Sequence, residues 1–228
     1  MHNIDIRPEI IDRVMKRRGR LHLYEHLDPR KTALVVIDMQ NTFCEVGAPA
    51  EVAQSRGIVP YINALTPKLR ELGVPVIWML HANTHFKGRS DWDLFYNYIV
   101  AGDIRDRTIQ SNAPENQSVY SELQTAAEDM VMVKNRYSAL IPGSSPLERV
   151  LRSLGVDSLL IAGTKTNICC ESTARDAMMM DFKVTMLSDC CAALSDEEHR
   201  AALENIVQQF GNVMSSTEVV ERLQKAKS

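Results

Sequence analysis

The sequence predicts an α/β fold: a single doubly wound domain whose mostly parallel sheet of five or six strands is flanked by helices. Three observations carry that expectation. Short aliphatic and β-branched runs, such as Ala33 to Ile37 and Ser158 to Ala162, have the length and continuous apolar character of strands covered on both faces. Segments of helical periodicity separate them, with no internal repeat and no low-complexity linker. At 228 residues the chain is long enough to enclose a substantial core as one unit.

Composition narrows the classes of function. A hydrophobic content of 45% and a charged content of 24% are those of a globular protein. A formal net charge of −3 argues against nucleic acid or an anionic membrane as partner, and the one basic cluster, Lys16 to Arg20, reads as a solvated helix face. No apolar run approaches the roughly 20 residues of a membrane helix. Charged residues throughout Met1 to Arg20 leave no signal-peptide segment, so a cytoplasmic protein is expected. Cys44, Cys169, Cys170, Cys190 and Cys191 are odd in number, four of them in adjacent pairs, and none is in C-x-x-C spacing. That pattern points to thiol chemistry or burial rather than to disulfides or a zinc site.

In chain order, residues 1–30 read as an N-terminal extension ahead of a domain spanning 31–228. Pro8 to Arg18 suits an amphipathic helix with Ile11, Val14 and Met15 on one side, packed on the domain or on a neighbouring subunit. The run Ala33 to Ile37 is the first strand and delivers Asp38 to its carboxyl end, where ligands bind in open α/β sheets. A plain strand end or helix cap is the competing role for that residue. Arg56 to Leu72 is a helix closed by Gly73, and Pro75 to Leu80 is the second strand.

The stretch 81–127 is polar and turn-rich, with a short helix from Asp91 to Val100 and no strong strand, the pattern of a lid or binding loop. His81 and His85 have a spacing that suits a metal only on a helix, and no carboxylate lies between them and Pro75, so no metal is expected there.

Asp129 to Val133 is the third strand, with Lys134 at its end; Pro146 to Leu154 is a helix, and Ser158 to Ala162 the fourth strand. Asn167 to Met180 then reads as a helix with Thr166 or Asn167 as N-cap, which puts Cys169 in its first turn. A helix start lowers a thiol's pKa, and its free N–H groups can hold a developing oxyanion. Burial as a small core residue is the competing role of a cysteine. Lys183 to Leu187 is a further strand, Asp196 to Gln209 a helix, Val213-Met214 a short edge strand, and Ser216 or Thr217 caps a last helix to Lys225.

Asp38, Lys134 and Cys169 therefore stand at the ends of three apolar strands, and a parallel sheet brings all such ends to one edge. Their chemistry is complementary. A thiolate attacks carbonyl carbon, a carboxylate can take the thiol proton and return it to a leaving amine, and an ammonium can hold that carboxylate in place.

The segments Ala33 to Asn41 (ALVVIDMQN), Val133-Lys134 and Gly163 to Ala177 (GTKTNICCESTARDA) resemble the isochorismatase-like cysteine hydrolases, over about residues 30–225. The resemblance implies a catalytic triad of Asp38, Lys134 and Cys169, with Cys170 where the family usually has valine. It also implies a non-proline cis peptide at Thr164–Lys165 and an oxyanion hole made by the backbone N–H groups of Lys165 and Cys169. The implied activity is cleavage of a C–N bond in a small polar amide or ureide through a thioester, without cofactor. The segment TNICCESTARDA and the Trp-x-x-Phe-Tyr pattern at Trp92 are similar to the ureidoacrylate and biuret branch. Expected substrate contacts are Gln40, Phe43, Trp92, Tyr96, Tyr137 and Gln209. The Asp and paired histidines of a nicotinamidase zinc site are missing after the second strand. The resemblance further implies a homodimer or homotetramer. A non-catalytic member that binds a metabolite or partner in the same cleft is the alternative of another class.

Overall fold

The computed structural model describes residue 2 and residues 4–227, so Met1, Asn3 and Ser228 of the expected extension and domain lie outside the described residues. In chain order the elements are α1 (Pro8–Arg18), β1 (Thr32–Ile37), α2 (Asn41–Cys44), α3 (Ser55–Glu71), β2 (Val76–His81), β3 (His85–Phe86), β4 (Arg89–Ser90), α4 (Gly102–Gln110) and β5 (Met130–Lys134). There follow α5 (Leu147–Ser153), β6 (Ser158–Thr164), α6 (Glu171–Met179), β7 (Lys183–Ala192), α7 (Asp196–Asn205), β8 (Asn212–Met214) and α8 (Ser216–Lys227).

Six strands form one parallel sheet in the order β5-β2-β1-β6-β7-β8. The chain winds outward from β1 through β2 to β5, returns to β6 on the other side of β1, and winds outward again. The order therefore reverses between β1 and β6, and a crevice opens at the carboxyl ends of that pair.

Strand side chains alternate between two apolar layers, as their period of two requires. Ala33, Val35 and Ile37 join the layer under α5, α6 and α7, whereas Leu34 and Val36 join the layer under α3 and α8. All six residues of β1 are buried, the consequence of having helices on both faces. The same double coverage explains why β1 and β6 read as unbroken apolar runs.

The extension is packed on the domain. Ile10 and Val14 of α1 enter the layer under α7, while Met15, expected on the packed side, is 42% exposed. Arg7 Nε donates to Glu204 Oε1 at 2.9 Å and anchors the start of α1.

Two other elements differ from expectation. Strand β7 runs on through Cys191 to Ala192 because an irregularity in its pairing with β6 (Ile161 opposite Met186, Gly163 opposite Cys191) absorbs three extra residues. The stretch after β2 holds an unexpected helix, α4, and a two-residue hairpin of β3 and β4. No helix among the described residues is long and apolar enough to cross a membrane.

Candidate active site

At the carboxyl end of β1 the chain turns through Asp38 with φ 56°, a left-handed conformation that aspartate tolerates better than branched residues. Its N–H still donates to Met79 O at 2.8 Å, so the turn stays fixed to β2. Lys134 is the last residue of β5 and lies in register with His81, the last of β2. Strands sit about 4.8 Å apart, so Asp38 lies about 10 Å from the Lys134 backbone, across the end of β2. A side chain as long as lysine is needed to bridge that gap.

It does so. Lys134 Nζ donates to Asp38 Oδ2 at 2.9 Å, to the Arg136 carbonyl at 3.1 Å and to His81 Nδ1 at 3.3 Å. Three acceptors match the three protons of an ammonium. The pair is out of water, with Asp38 1% exposed and Lys134 0%. Burial pulls Lys134 toward losing its proton; the Asp38 carboxylate and then Cys169 outweigh it, and the net displacement is upward. Asp38 Oδ1 is buried without a formed hydrogen bond, and the Cys169 thiol is the neighbouring proton donor that acts on the carboxylate.

Cys169 lies in a wide π-type turn, Thr166–Cys170, that joins β6 to α6. Neither Thr166 nor Asn167 caps this turn: Lys165 holds the N-cap position with no side-chain cap, and the Thr166 hydroxyl pairs with His199 Nδ1 at 2.8 Å. The Lys165 carbonyl accepts from the N–H groups of Ile168 and Cys170, passing over the amide of Cys169 between them. The peptide bond Thr164–Lys165 is cis.

Burial first, then the Asp38 charge, push the Cys169 thiol up to about 12, against the pull of Lys134 and Lys165. This reverses the lowering expected of a helix start. The turn is wide and Cys169 is 6% exposed, so loss of water outweighs the nearby dipole.

The thiol opens onto a cavity of about 740 Å³ whose lining includes Asp38, His81, Lys165 and Cys169. Phe43, Val52 and Leu194 supply apolar wall. Trp92, Phe95 and Tyr137 supply an aromatic one, with Trp92 stacked on Phe95 at 4.8 Å and edge-on to Tyr137 at 4.7 Å. From α4 come Ile104, Arg107 and Thr108, and Ser111 follows as its C-cap, the spacing of one helical face.

Of the expected substrate contacts, Phe43, Trp92 and Tyr137 line this cavity and three do not. Gln40 is wholly buried, its amide spent on His81 N at 2.6 Å, His81 O at 3.1 Å and Asn116 O at 3.2 Å. Tyr96 is 2% exposed and its hydroxyl serves Asn83 and Asn112 instead. Gln209 is exposed beside α1, where Arg17 Nη1 donates to its Oε1 at 2.7 Å. Sequence reasoning missed His81 as a partner of Lys134 and missed the face of α4. The one available signal was the position of His81 at a strand end, beside the other two. Among the described residues no three His, Cys, Asp or Glu side chains converge in metal-binding geometry.

Residues 32–218 match the model of the Isochorismatase domain. A probable inactive nicotinamidase of Arabidopsis thaliana is 34% identical over 177 residues, 75% of this chain and 86% of that one. The ureidoacrylate amidohydrolase RutB of Acinetobacter baylyi is 30% identical over 223 residues, 87% of this chain and 86% of that one. Among solved structures, a cysteine hydrolase from Pseudomonas syringae pv. phaseolicola superposes with a TM-score of 0.75 at 29% identity, covering 91% of this chain and 98% of that one. By fold, by domain match and by these relatives, the chain belongs to the isochorismatase-like cysteine hydrolase family.

Proposed function

We propose that the chain is a cysteine amidohydrolase that cleaves a C–N bond of a small, planar, polar amide or ureide. The observation that carries this reading is the buried Lys134–Asp38 pair, 2.9 Å long, with the Cys169 thiol interacting with the same carboxylate and all three side chains at one cavity or its edge.

A thiol held near 12 is not a standing thiolate. The proton therefore leaves as the bond forms: Asp38 takes it while Cys169 Sγ adds to the carbonyl carbon and the carbonyl electrons move to oxygen. The N–H groups of Lys165 and Cys169 are the donors for that oxyanion. Collapse expels the amine, which leaves with the proton from Asp38, and a thioester remains. Water, deprotonated by Asp38, then adds to the thioester and releases the acid and the thiol. Lys134 keeps the carboxylate charged and oriented throughout. The aromatic wall of Trp92, Phe95 and Tyr137 suits a planar substrate, and similarity to a ureidoacrylate amidohydrolase supports a ureide. An N-carbamoyl amino acid is the runner-up within the same chemistry.

Ammonia or amine release over a panel of amides, ureides and N-carbamoyl acids tests the reading. Turnover by the wild type and none by Cys169→Ala is expected; hydrolysis retained in that variant overturns it. A second reading, a non-catalytic metabolite binder, is favoured by similarity to a relative described as probably inactive. Tight binding of a panel member without turnover would establish that reading instead.

A further inference from the structure

The proposed reacting set leaves one half-buried titratable side chain at the cavity unused. His81 sits at the end of β2, under the Lys134 side chain as it crosses from β5 to Asp38. An ammonium only donates, so His81 Nδ1 accepts at 3.3 Å and the ring proton is on Nε2, which donates to Asn83 Oδ1 at 2.8 Å. Asn83 carries the connection onward. Its Oδ1 accepts from Tyr96 Oη at 3.3 Å, its Nδ2 donates to Asp91 Oδ1 at 2.7 Å and to Asn135 O at 3.1 Å, and its N–H donates to Asn112 Oδ1 at 2.7 Å. Asn112 Nδ2 closes the ring on Tyr96 Oη at 2.9 Å.

We propose that His81 is a positioning residue: it takes the third proton of Lys134 and, through Asn83, ties that ammonium to the lid that carries Tyr96 and Asn112. The proposal rests on the reading of Lys134, Asp38 and Cys169 as the reacting set. Without an acceptor at His81 the ammonium keeps only Asp38, the Arg136 carbonyl and the Cys169 sulfur as partners, and Nζ, held on one side fewer, is free to shift against the carboxylate and the sulfur. Burial, then the Lys134 charge, hold His81 down to about 4, which keeps the ring neutral and its Nδ1 lone pair available. Asp38 pulls in the opposite direction, and neither cation nor carboxylate reaches the ring directly from the lid, where Asp91 is met through Asn83.

Lys134 lowers the Cys169 thiol, so a loosened Lys134 raises it. The test is the pH profile of iodoacetamide alkylation, mapped to Cys169, in wild type, His81→Phe and His81→Gln. Phenylalanine keeps the bulk and removes the acceptor; glutamine restores one. His81→Phe is expected to slow alkylation about tenfold at each pH between 7 and 9, the equivalent of moving the profile up by about one pH unit, while His81→Gln stays near wild type. A wild-type profile in His81→Phe, or an equal shift in both variants, overturns the proposal. If His81→Phe does not fold, Asn83→Leu removes the acceptor for Nε2 and is expected to shift the profile in the same direction; no shift there overturns it equally. Alkylation needs no substrate, so a shift with no hydrolysis of any amide refutes the amidohydrolase reading and leaves the positioning role. Turnover with an unshifted profile does the reverse.

Discussion

Gly163 on β6 lies opposite Ile37 on β1, and a Cβ built on Gly163 would stand 2.0 Å from the Ile37 carbonyl oxygen. Gly163 also has φ 114°, a conformation that side chains rarely adopt. Both residues immediately precede the site, Ile37 before Asp38 and Gly163 before Thr164. Backbone against backbone leaves nothing flexible to yield. Gly163→Ala is therefore expected to lower unfolding free energy by at least about 3 kcal/mol. Urea denaturation measures it, and a midpoint near wild type would show that the strands part more easily than this contact allows.

Removing one member of the Lys134–Asp38 pair strands a buried charge. Lys134→Met is expected to cost about 3–5 kcal/mol of stability and to abolish turnover. Asp38→Asn keeps the shape but leaves the Lys134 ammonium buried without its counter-charge, so it too is expected to lose about 3–5 kcal/mol of stability along with the rate. The double variant, Asp38→Asn with Lys134→Met, should be less destabilised than the sum of the two single changes, because no unpaired charge remains. Additive losses would refute the coupling.

The raised thiol has a pH signature. Cys169 ordinarily titrates near 9.0 and is held at about 12 in the folded chain, and Cys44, raised by its own burial to about 11, acts in the same direction. Between those values the unfolded chain has released protons that the folded chain still binds, so stability falls as pH rises through that window. Urea midpoints measured from pH 7 upward should decline above about pH 9. The decline should be shallower in Cys169→Ser, which does not titrate there; identical slopes would contradict the assignment.

Trp92 and Trp78 are the two tryptophans of the chain, and only Trp92 lines the cavity. Substrate binding is expected to quench tryptophan emission in wild type and not in Trp92→Phe. Trp92→Ala, which loses its contacts with Phe95, Tyr137 and Arg136, should raise KM by about tenfold. Stopped-flow fluorescence and steady-state rates check the two effects separately.

Arg107 on α4 faces the same cavity and has no ion-pair partner among the described residues. Arg107→Ala should raise KM for carboxylate-bearing ureides by about tenfold and leave neutral amides unchanged. Equal effects on both classes would assign Arg107 to lid folding instead.

Asp38, Lys134 and Cys169 were legible because each follows an apolar run, and parallel strands put all such ends on one rim. The lid was not. Helix α4 shows no apolar stripe toward the core, since Ile104 is 59% exposed and Ile109 37%, so periodicity had nothing to detect. Gln209 failed for another reason: its segment packs in the same layer as Cys169, but spacing does not say which way one side chain on it points, and this one points out to Arg17 of α1. The thiol's upward displacement was hidden too, because desolvation depends on how neighbouring elements close over a turn.

The reversal of winding between β1 and β6 also divides the chemistry in time. Asp38 and Lys134 end strands made before β6, and Cys169 lies in the turn that follows it. A ribosome that has released only the earlier strands has made an acid and an ammonium with nothing to act on. The three side chains thus meet only when β6 docks beside β1, so that closing the middle of the sheet and gathering the three groups are a single event.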